Sequence, residues 1–201
     1  MARQHNAEET KEMIINSAIK CFLDKGYSKT TLEDIVKGVG LTRGAFYWNF
    51  ENKRQIMDEV LARYEQFYLD IYHGYQREET ARETLKEFLL LDLRSKNSIN
   101  PYAIIVRYKI EATEEMVGVR ELQGRLDKQL LHKISEEIAW GQRRGEFKTD
   151  RSSDRYALMI YYFLLGFDTY NVANYSEKGG HFLSDETIEE YVEDILNSLE
   201  E

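Results

Sequence analysis

Apolar positions recur along the chain with the spacing of amphipathic helices. In the first stretch Ile14, Ala18 and Phe22 fall at i, i+4 and i+8, which places them on one face of a helix over about residues 7–24. Similar stripes, separated by capping residues, continue to the end of the chain and predict about nine helices. Pro101 is the only proline, which disfavours a loop-rich or all-β fold. We therefore predict an all-α protein.

The second and third predicted helices are short and lie close together. Thr30 and Glu33 have capping-box spacing at the start of the second helix, which ends at the glycines beginning with Gly38. Thr42 is a good N-cap for the third helix, which ends near Phe50. A helix, a tight glycine turn and a second helix form the helix-turn-helix pattern, in which the second helix enters the DNA major groove.

The remaining helices predict a second, larger domain. Capping signals open the fourth helix near Asn52, the fifth at Thr80, the sixth at Asn100–Pro101, the eighth at Ser152 or Ser153 and the ninth at Ser184, while the seventh ends near Gly145. We predict a three-helix helix-turn-helix DNA-binding domain over residues 1–54. A larger helical domain is expected over residues 55–201.

The third predicted helix divides into a back and a front. Phe46 and Phe50, one turn apart, can anchor its back on the first two helices. The front then offers Thr42, Arg43, Gly44, Tyr47, Trp48 and Asn49 to DNA.

Each type of front residue suits a contact with DNA. Arg43 can reach guanine O6 and N7, or a phosphate. Gly44 removes a side chain where the backbone can approach DNA, and Tyr47 can donate its hydroxyl to a phosphate. At the start of the fourth helix, the charge of Lys53 and the helix dipole both favour a phosphate.

The stretch GYSKTTLEDIVKGVGLTRGAFYWNFENKRQI, within residues 14–61, strongly resembles the DNA-binding domain of the tetracycline-repressor (TetR) family. The tail fits the family's all-helical regulatory domain in length and layout, so the resemblance implies a helical ligand-binding and dimerisation domain over residues 55–201. The resemblance implies DNA contacts from Thr31, Thr42, Arg43, Tyr47, Trp48, Asn49 and Lys53. It implies a homodimer, a palindromic double-stranded DNA operator and a small-molecule effector. The stretch TRGAFYW looks most like the branch that controls multidrug efflux. Gly38 and Asn49 depart from the pattern, since many members have alanine and histidine there.

Charge is distributed unevenly along the chain. Residues 1–54 hold nine lysines and arginines against seven acidic residues, whereas the whole chain carries a net charge of −9. A mildly basic first quarter on a strongly acidic remainder fits a DNA-contacting end on a body that repels DNA.

Aromatic side chains and two acids after residue 54 are candidates for an effector site. Aromatic-rich cavities suit flat, hydrophobic or cationic molecules, and a buried acid would need a partner. An ordinary aromatic core and solvent-facing acids remain the alternative reading. The effector is expected between the fourth and eighth helices, where it would lower operator affinity. The candidates are Tyr64, Tyr68, Tyr72, Phe88, Tyr108, Glu111, Tyr161, Tyr162, Leu165 and Asp168.

The eighth predicted helix is apolar nearly all round from Met159 to Phe167, so it must be buried on two sides. Gly166 would let a partner helix approach closely. We predict a homodimer through the last two helices, as in the family.

Several function classes are disfavoured. Cys21 is the only cysteine, so no internal disulfide is possible and a thiolate metal site is not expected. No enzyme or dinucleotide motif occurs, and the four histidines are far apart, so neither an enzyme nor a cofactor is expected. The apolar run Tyr156–Phe167 is too short to span a membrane, and no signal core precedes it, which predicts a cytoplasmic protein. A ligand-responsive repressor is the leading hypothesis. A DNA-binding adaptor acting through a protein partner is the alternative.

Overall fold

The computed structural model describes residues 2–97, 102, 115–174 and 183–200, and this part of the chain forms eight α-helices. The all-α prediction is confirmed. The predicted sixth helix, at Asn100–Pro101, lies outside the described residues. The predicted seventh, eighth and ninth helices correspond to α6, α7 and α8. The helices are α1 (Ala2–Lys25), α2 (Leu32–Gly38), α3 (Arg43–Asn49), α4 (Lys53–Gly74), α5 (Ala81–Lys96), α6 (Glu115–Arg144), α7 (Ser153–Asn174) and α8 (Asp185–Leu199).

The described residues cluster into two compact units. The first unit contains residues 2–67, 102 and 115–123, and the second contains residues 68–97, 124–174 and 183–200. Helices α4 and α6 each belong to both units. The predicted domain boundary after residue 54 stays a prediction.

The capping box of α2 lies one residue further along the chain than the sequence predicted. Thr31 is the N-cap, and its side chain accepts from the backbone N–H of Asp34 while Asp34 accepts from the backbone N–H of Thr31. Thr30 is buried instead, and its hydroxyl donates to the carbonyl oxygen of Gly26 at 2.8 Å. Gly26 itself has φ +83°, the left-handed conformation with which α1 ends. The end of α1 therefore uses Thr30 and leaves Thr31 to start α2.

The core of the first unit comes from the apolar faces of α1, α2 and α3, which pack on one another. Ile14, Ala18 and Phe22 of α1 are fully buried, as the spacing predicted. The last residue of α2, Gly38, approaches Ser17 of α1 closely. The Ser17 hydroxyl donates to the carbonyl oxygen of Ile35 at 2.7 Å, and a Cβ at residue 38 would lie only 2.6 Å from that hydroxyl oxygen.

In the second unit α5 packs along α8 with ion pairs on its rim. Arg82 binds Glu193 of α8 and Glu200, the residue directly after α8, each at 2.6 Å. The start of α5 is capped from outside the helix, since the carboxylate of Glu146 accepts from the backbone N–H of Ala81 at 2.7 Å. These contacts fix the orientation of α5 within this unit.

Helix α6 supplies a second anchor in the same unit. Glu137 is buried and accepts hydrogen bonds from the Tyr75 hydroxyl at 2.7 Å and from the Arg77 guanidinium at 3.1 Å. One turn later the ring of Trp140 lies under two guanidinium groups, those of Arg77 at 5.1 Å and Arg144 at 5.2 Å. The segment after α4 is therefore tied to α6.

Within the described ranges, no helix combines the length and the apolar character needed to cross a membrane.

Candidate functional site

The turn between α2 and α3 is closed by backbone hydrogen bonds and one glycine. Gly40 has φ +66°, and the backbone N–H of Leu41 donates back to the carbonyl oxygen of Val36 at 3.0 Å. Thr42 then caps α3, its hydroxyl accepting from the backbone N–H of Ala45 at 3.2 Å. The predicted helix-turn-helix is therefore present, with Thr42 in the predicted capping position.

Helix α3 separates buried anchors from exposed aromatic residues. Phe46 and Phe50 are buried, as predicted for the back of the helix. Tyr47 is 58% exposed and Trp48 is 85% exposed. Large exposed aromatic side chains on a short, well-anchored helix indicate a surface that binds something.

The guanidinium of Arg43 is held by a neighbour on α2. Its Nη2 donates to a carboxylate oxygen of Glu33 at 2.8 Å, and both side chains are largely exposed. A guanidinium has five N–H donors, so this bond leaves donors for a guanine or a phosphate. Arg43 is therefore at the surface with donors available, and its contact with a base or a phosphate stays a prediction.

Two other predicted DNA-contacting residues have partners within the chain. The Lys53 ammonium donates to the carbonyl oxygens of Tyr27 at 2.6 Å and Thr30 at 2.9 Å, and it lies 4.3 Å from the centre of the Tyr27 ring. The Asn49 amide donates to the carbonyl oxygen of Ala45 at 2.8 Å. Their phosphate contacts stay predictions.

Thr31 is exposed and combines its capping role with a contact to an acid. Its hydroxyl lies 2.6 Å from the Asp34 carboxylate, whose other oxygen binds Lys25 at 2.7 Å. Hydrogen bonds from Lys25 first and Thr31 second hold the pKa of Asp34 well below its usual range. Gly44 is exposed too, and a Cβ there would meet only the Thr42 hydroxyl, at 3.7 Å.

Three of the predicted effector-binding residues come together in the second unit. The ring centres of Tyr68 and Tyr72 lie 6.0 Å apart, and those of Tyr72 and Phe88 lie 6.1 Å apart. Tyr75 extends this aromatic row, with its ring 5.0 Å from Phe88. Tyr75 was not among the effector candidates predicted from the sequence, although it stands only three residues after Tyr72.

The other effector candidates are placed differently. Tyr64 is buried in the first unit, where its hydroxyl accepts from the Gln123 amide at 3.4 Å. Tyr161 is half-buried beside Asp127, and burial first and Asp127 second raise the pKa of its hydroxyl to about 12. Tyr162 is 62% exposed and Leu165 is 44% exposed. Outside the described residues or side chains lie Tyr108, Glu111 and the carboxylate of Asp168.

Tyr162 belongs to an exposed apolar surface on α7 and α8. Leu158, Met159 and Tyr191 are also exposed there, and the rings of Phe163 and Tyr191 lie 5.6 Å apart. The surface contains a cavity of about 480 Å³, lined by Tyr162, Phe163, Gly166, Phe167, Leu183 and Tyr191.

Among the described side chains, no group of three His, Cys, Asp or Glu residues is arranged to hold a metal ion.

The three packed helices and the exposed face of α3 define the class of this chain, a DNA-binding regulatory protein of the helix-turn-helix type. Residues 14–60 match the sequence profile described as "Bacterial regulatory proteins, tetR family". This stretch is therefore similar to the DNA-binding domain of tetR-family transcriptional regulators, as the motif predicted.

Individual relatives extend the similarity beyond the DNA-binding end. The chain is 27% identical over 172 residues to the HTH-type transcriptional regulator TtgR of Pseudomonas putida, across 81% of this chain and 80% of TtgR. It is 31% identical over 133 residues to the HTH-type transcriptional regulator AcrR of Shigella flexneri, across 63% of this chain and 62% of AcrR. These relatives are regulators, in agreement with the prediction that the chain is not an enzyme.

The fold is also that of a solved regulator. NalD, the secondary repressor of the MexAB-OprM multidrug efflux pump in Pseudomonas aeruginosa, superposes with a TM-score of 0.67 at 21% identity over 98% of both chains.

Proposed function

We propose that the chain is a homodimeric repressor that binds a palindromic operator through α3 and is released by a small aromatic or hydrophobic molecule. The observation that carries the DNA-binding part is the surface of α3, where Arg43, Tyr47 and Trp48 are exposed over buried anchors. Control of an efflux pump is the proposed biological role, because NalD represses such a pump and the α3 sequence resembles that branch of the family.

The exposed apolar surface of α7 and α8 supports the homodimer. Single exposed apolar residues are ordinary, whereas a continuous surface that includes a cavity is typical of an interface. We therefore assign Tyr162 and Leu165 to the subunit interface in preference to the effector site. Tyr162→Glu should convert the dimer to monomer in analytical ultracentrifugation. Lys128→Glu, the same new charge at an exposed position of α6, should leave the dimer intact.

The aromatic row supports an effector site in the second unit. Helix α4 begins in the first unit at Lys53, and its last turns carry Tyr68 and Tyr72 in the second. A molecule bound against these rings that shifts α4 would move the attached DNA-binding end. Both half-sites must be met at once, so a small displacement would lower operator affinity.

The test of DNA binding starts from operators selected from random duplexes. We expect an inverted repeat with half-site centres ~34–36 Å apart, or a multiple of this. Arg43→Ala should cost about 1–3 kcal/mol and relax the preference at one symmetric position. Arg143 is an exposed arginine at the end of α6, and Arg143→Ala is the matched control. It should change neither the operator affinity nor the base preference. An asymmetric single half-site bound by a monomer would refute the proposal.

A further inference from the structure

A buried carboxylate on α5 lacks one of its hydrogen-bond partners. Asp92 is completely buried, and its Oδ2 binds the ammonium of Lys96 at 2.5 Å. Among the described residues, Asp92 Oδ1 is a buried side-chain oxygen that no donor reaches. A buried acceptor without a partner costs about 1–3 kcal/mol, and more when the group is charged. An apolar residue would avoid this cost, so the carboxylate calls for a functional explanation.

The residue that carries the unpartnered oxygen lies one helical turn from the aromatic row. Phe88 precedes Asp92 by one turn on the same buried face of α5, and its ring contacts Tyr72 and Tyr75. Tyr72 in turn contacts Tyr68. A cluster of aromatic rings close to a single polar acceptor has the composition of a site for an aromatic molecule with one polar group.

The charge around Asp92 restricts that polar group. Lys96 is itself nearly buried, so it already balances the carboxylate. A cationic ligand would add a second buried positive charge with no acid to balance it, and an isolated buried charge is strongly unfavourable. A carboxylate oxygen only accepts hydrogen bonds, so a matching ligand has to donate one. A neutral donor meets both requirements.

We infer that the effector is a neutral aromatic molecule whose hydroxyl group donates a hydrogen bond to Asp92 Oδ1, with its ring packed against Tyr72 and Phe88. This inference rests on the proposed function, because it names the chemical class of the releasing molecule. Oδ1 is covered in this structure, so binding displaces the side chains that cover it.

Three probes that share one ring system test the inference by calorimetry on the full chain. They are 2-naphthol, which donates a hydrogen bond, 2-methoxynaphthalene, which does not, and 2-naphthylmethylammonium, which is a cation. We expect 2-naphthol to bind at least about tenfold more tightly than 2-methoxynaphthalene, the effect of one hydrogen bond to a charged group. The ammonium probe should bind more weakly than 2-naphthol.

Asp92→Asn should reverse the preference between the first two probes. The amide oxygen would take over the bond to Lys96, which presents the NH₂ group to the ligand and favours an acceptor. Glu87→Gln, an exposed acid on the same helix, is the matched control and should keep the native order.

Several outcomes would overturn the inference. They are equal affinities for 2-naphthol and 2-methoxynaphthalene, tightest binding of the ammonium probe, no binding of any probe, or an unchanged preference in a folded Asp92→Asn variant. If that variant does not fold by circular dichroism, the three probes on the native chain decide alone.

Release of the operator is measured separately. If both naphthalenes release the operator with equal potency, the proposed function is supported and the role of Asp92 in recognising the effector is contradicted. A donor preference without release would keep the site and contradict the inducer role.

Discussion

Alanine at residue 38 should destabilise the first unit, although it replaces a helical glycine. Alanine normally stabilises a helix by up to about 1 kcal/mol relative to glycine. Here the new Cβ would lie 2.6 Å from the Ser17 hydroxyl oxygen, which no side chain tolerates without movement. Ser17 would have to turn away from Ile35 and leave its buried hydroxyl unpaired, at a cost of about 1–3 kcal/mol. We expect a net loss of about 1 kcal/mol.

Removing the Ser17 hydroxyl should reverse the sign of the stability change that Gly38→Ala produces. In a Ser17→Ala background the nearest remaining atom of residue 17 is its Cβ, at an ordinary distance of 3.9 Å. Gly38→Ala should then stabilise by up to about 1 kcal/mol, so the two substitutions are coupled by about 2 kcal/mol. This coupling gives a physical reason for the departure from the family pattern at Gly38.

The assay is a double-mutant cycle on four proteins: the native chain, Gly38→Ala, Ser17→Ala and the double variant. Amide hydrogen exchange in α2 and α3 reports the stability of the first unit by itself. Equal stabilisation by Gly38→Ala in both backgrounds would refute the reasoning, because the close approach to Ser17 would then have no energetic consequence.

Three further predictions concern single positions. Gly44→Ala should stabilise α3 by about 0.5–1 kcal/mol, since its Cβ would make only an ordinary contact with the Thr42 hydroxyl at 3.7 Å, yet weaken operator binding in a fluorescence-anisotropy titration if the backbone approaches DNA there. Lys53→Met should lower stability by about 1–3 kcal/mol in chemical unfolding because it strips a charged donor from loop carbonyls, whereas exposed Lys37→Met should change it little. Gly141→Ala would overlap the ring of Phe147 and should cost about 1–3 kcal/mol, part of which Phe147→Leu should restore in a thermal melt.

The helices and the two faces of α3 could be predicted because they depend on local rules. Phe46 within the seven-residue helix and Phe50 directly after it are one turn apart and so fall on one face, and the structure buries both. The capping box was displaced by one residue because two pairs fit its spacing. Contact with the end of α1 decided between them by occupying Thr30, and local spacing carries no information about that contact.

The rest of the site depends on contacts between distant residues. The bonds from Arg43 to Glu33 and from Lys53 to Tyr27 join residues on different helices or loops, so the periodicity of the sequence does not predict them. The faces of helix α7 could not be distinguished from its sequence. It is apolar nearly all round, so its sequence could not distinguish a core-facing residue from the exposed Tyr162.

The placement of the two tryptophans gives each compact unit its own natural optical reporter. Trp48, almost fully exposed on α3, should emit at the long wavelengths of a hydrated indole and change when DNA covers it. Trp140, close to two guanidinium groups in the second unit, has a distinct surrounding and should emit differently. The sequence contains only these two tryptophans, so Trp48→Phe and Trp140→Phe each leave a single tryptophan, which can be excited selectively over the tyrosines. The occupancy of the operator and that of the effector site could then be followed separately in unlabelled protein by intrinsic tryptophan fluorescence.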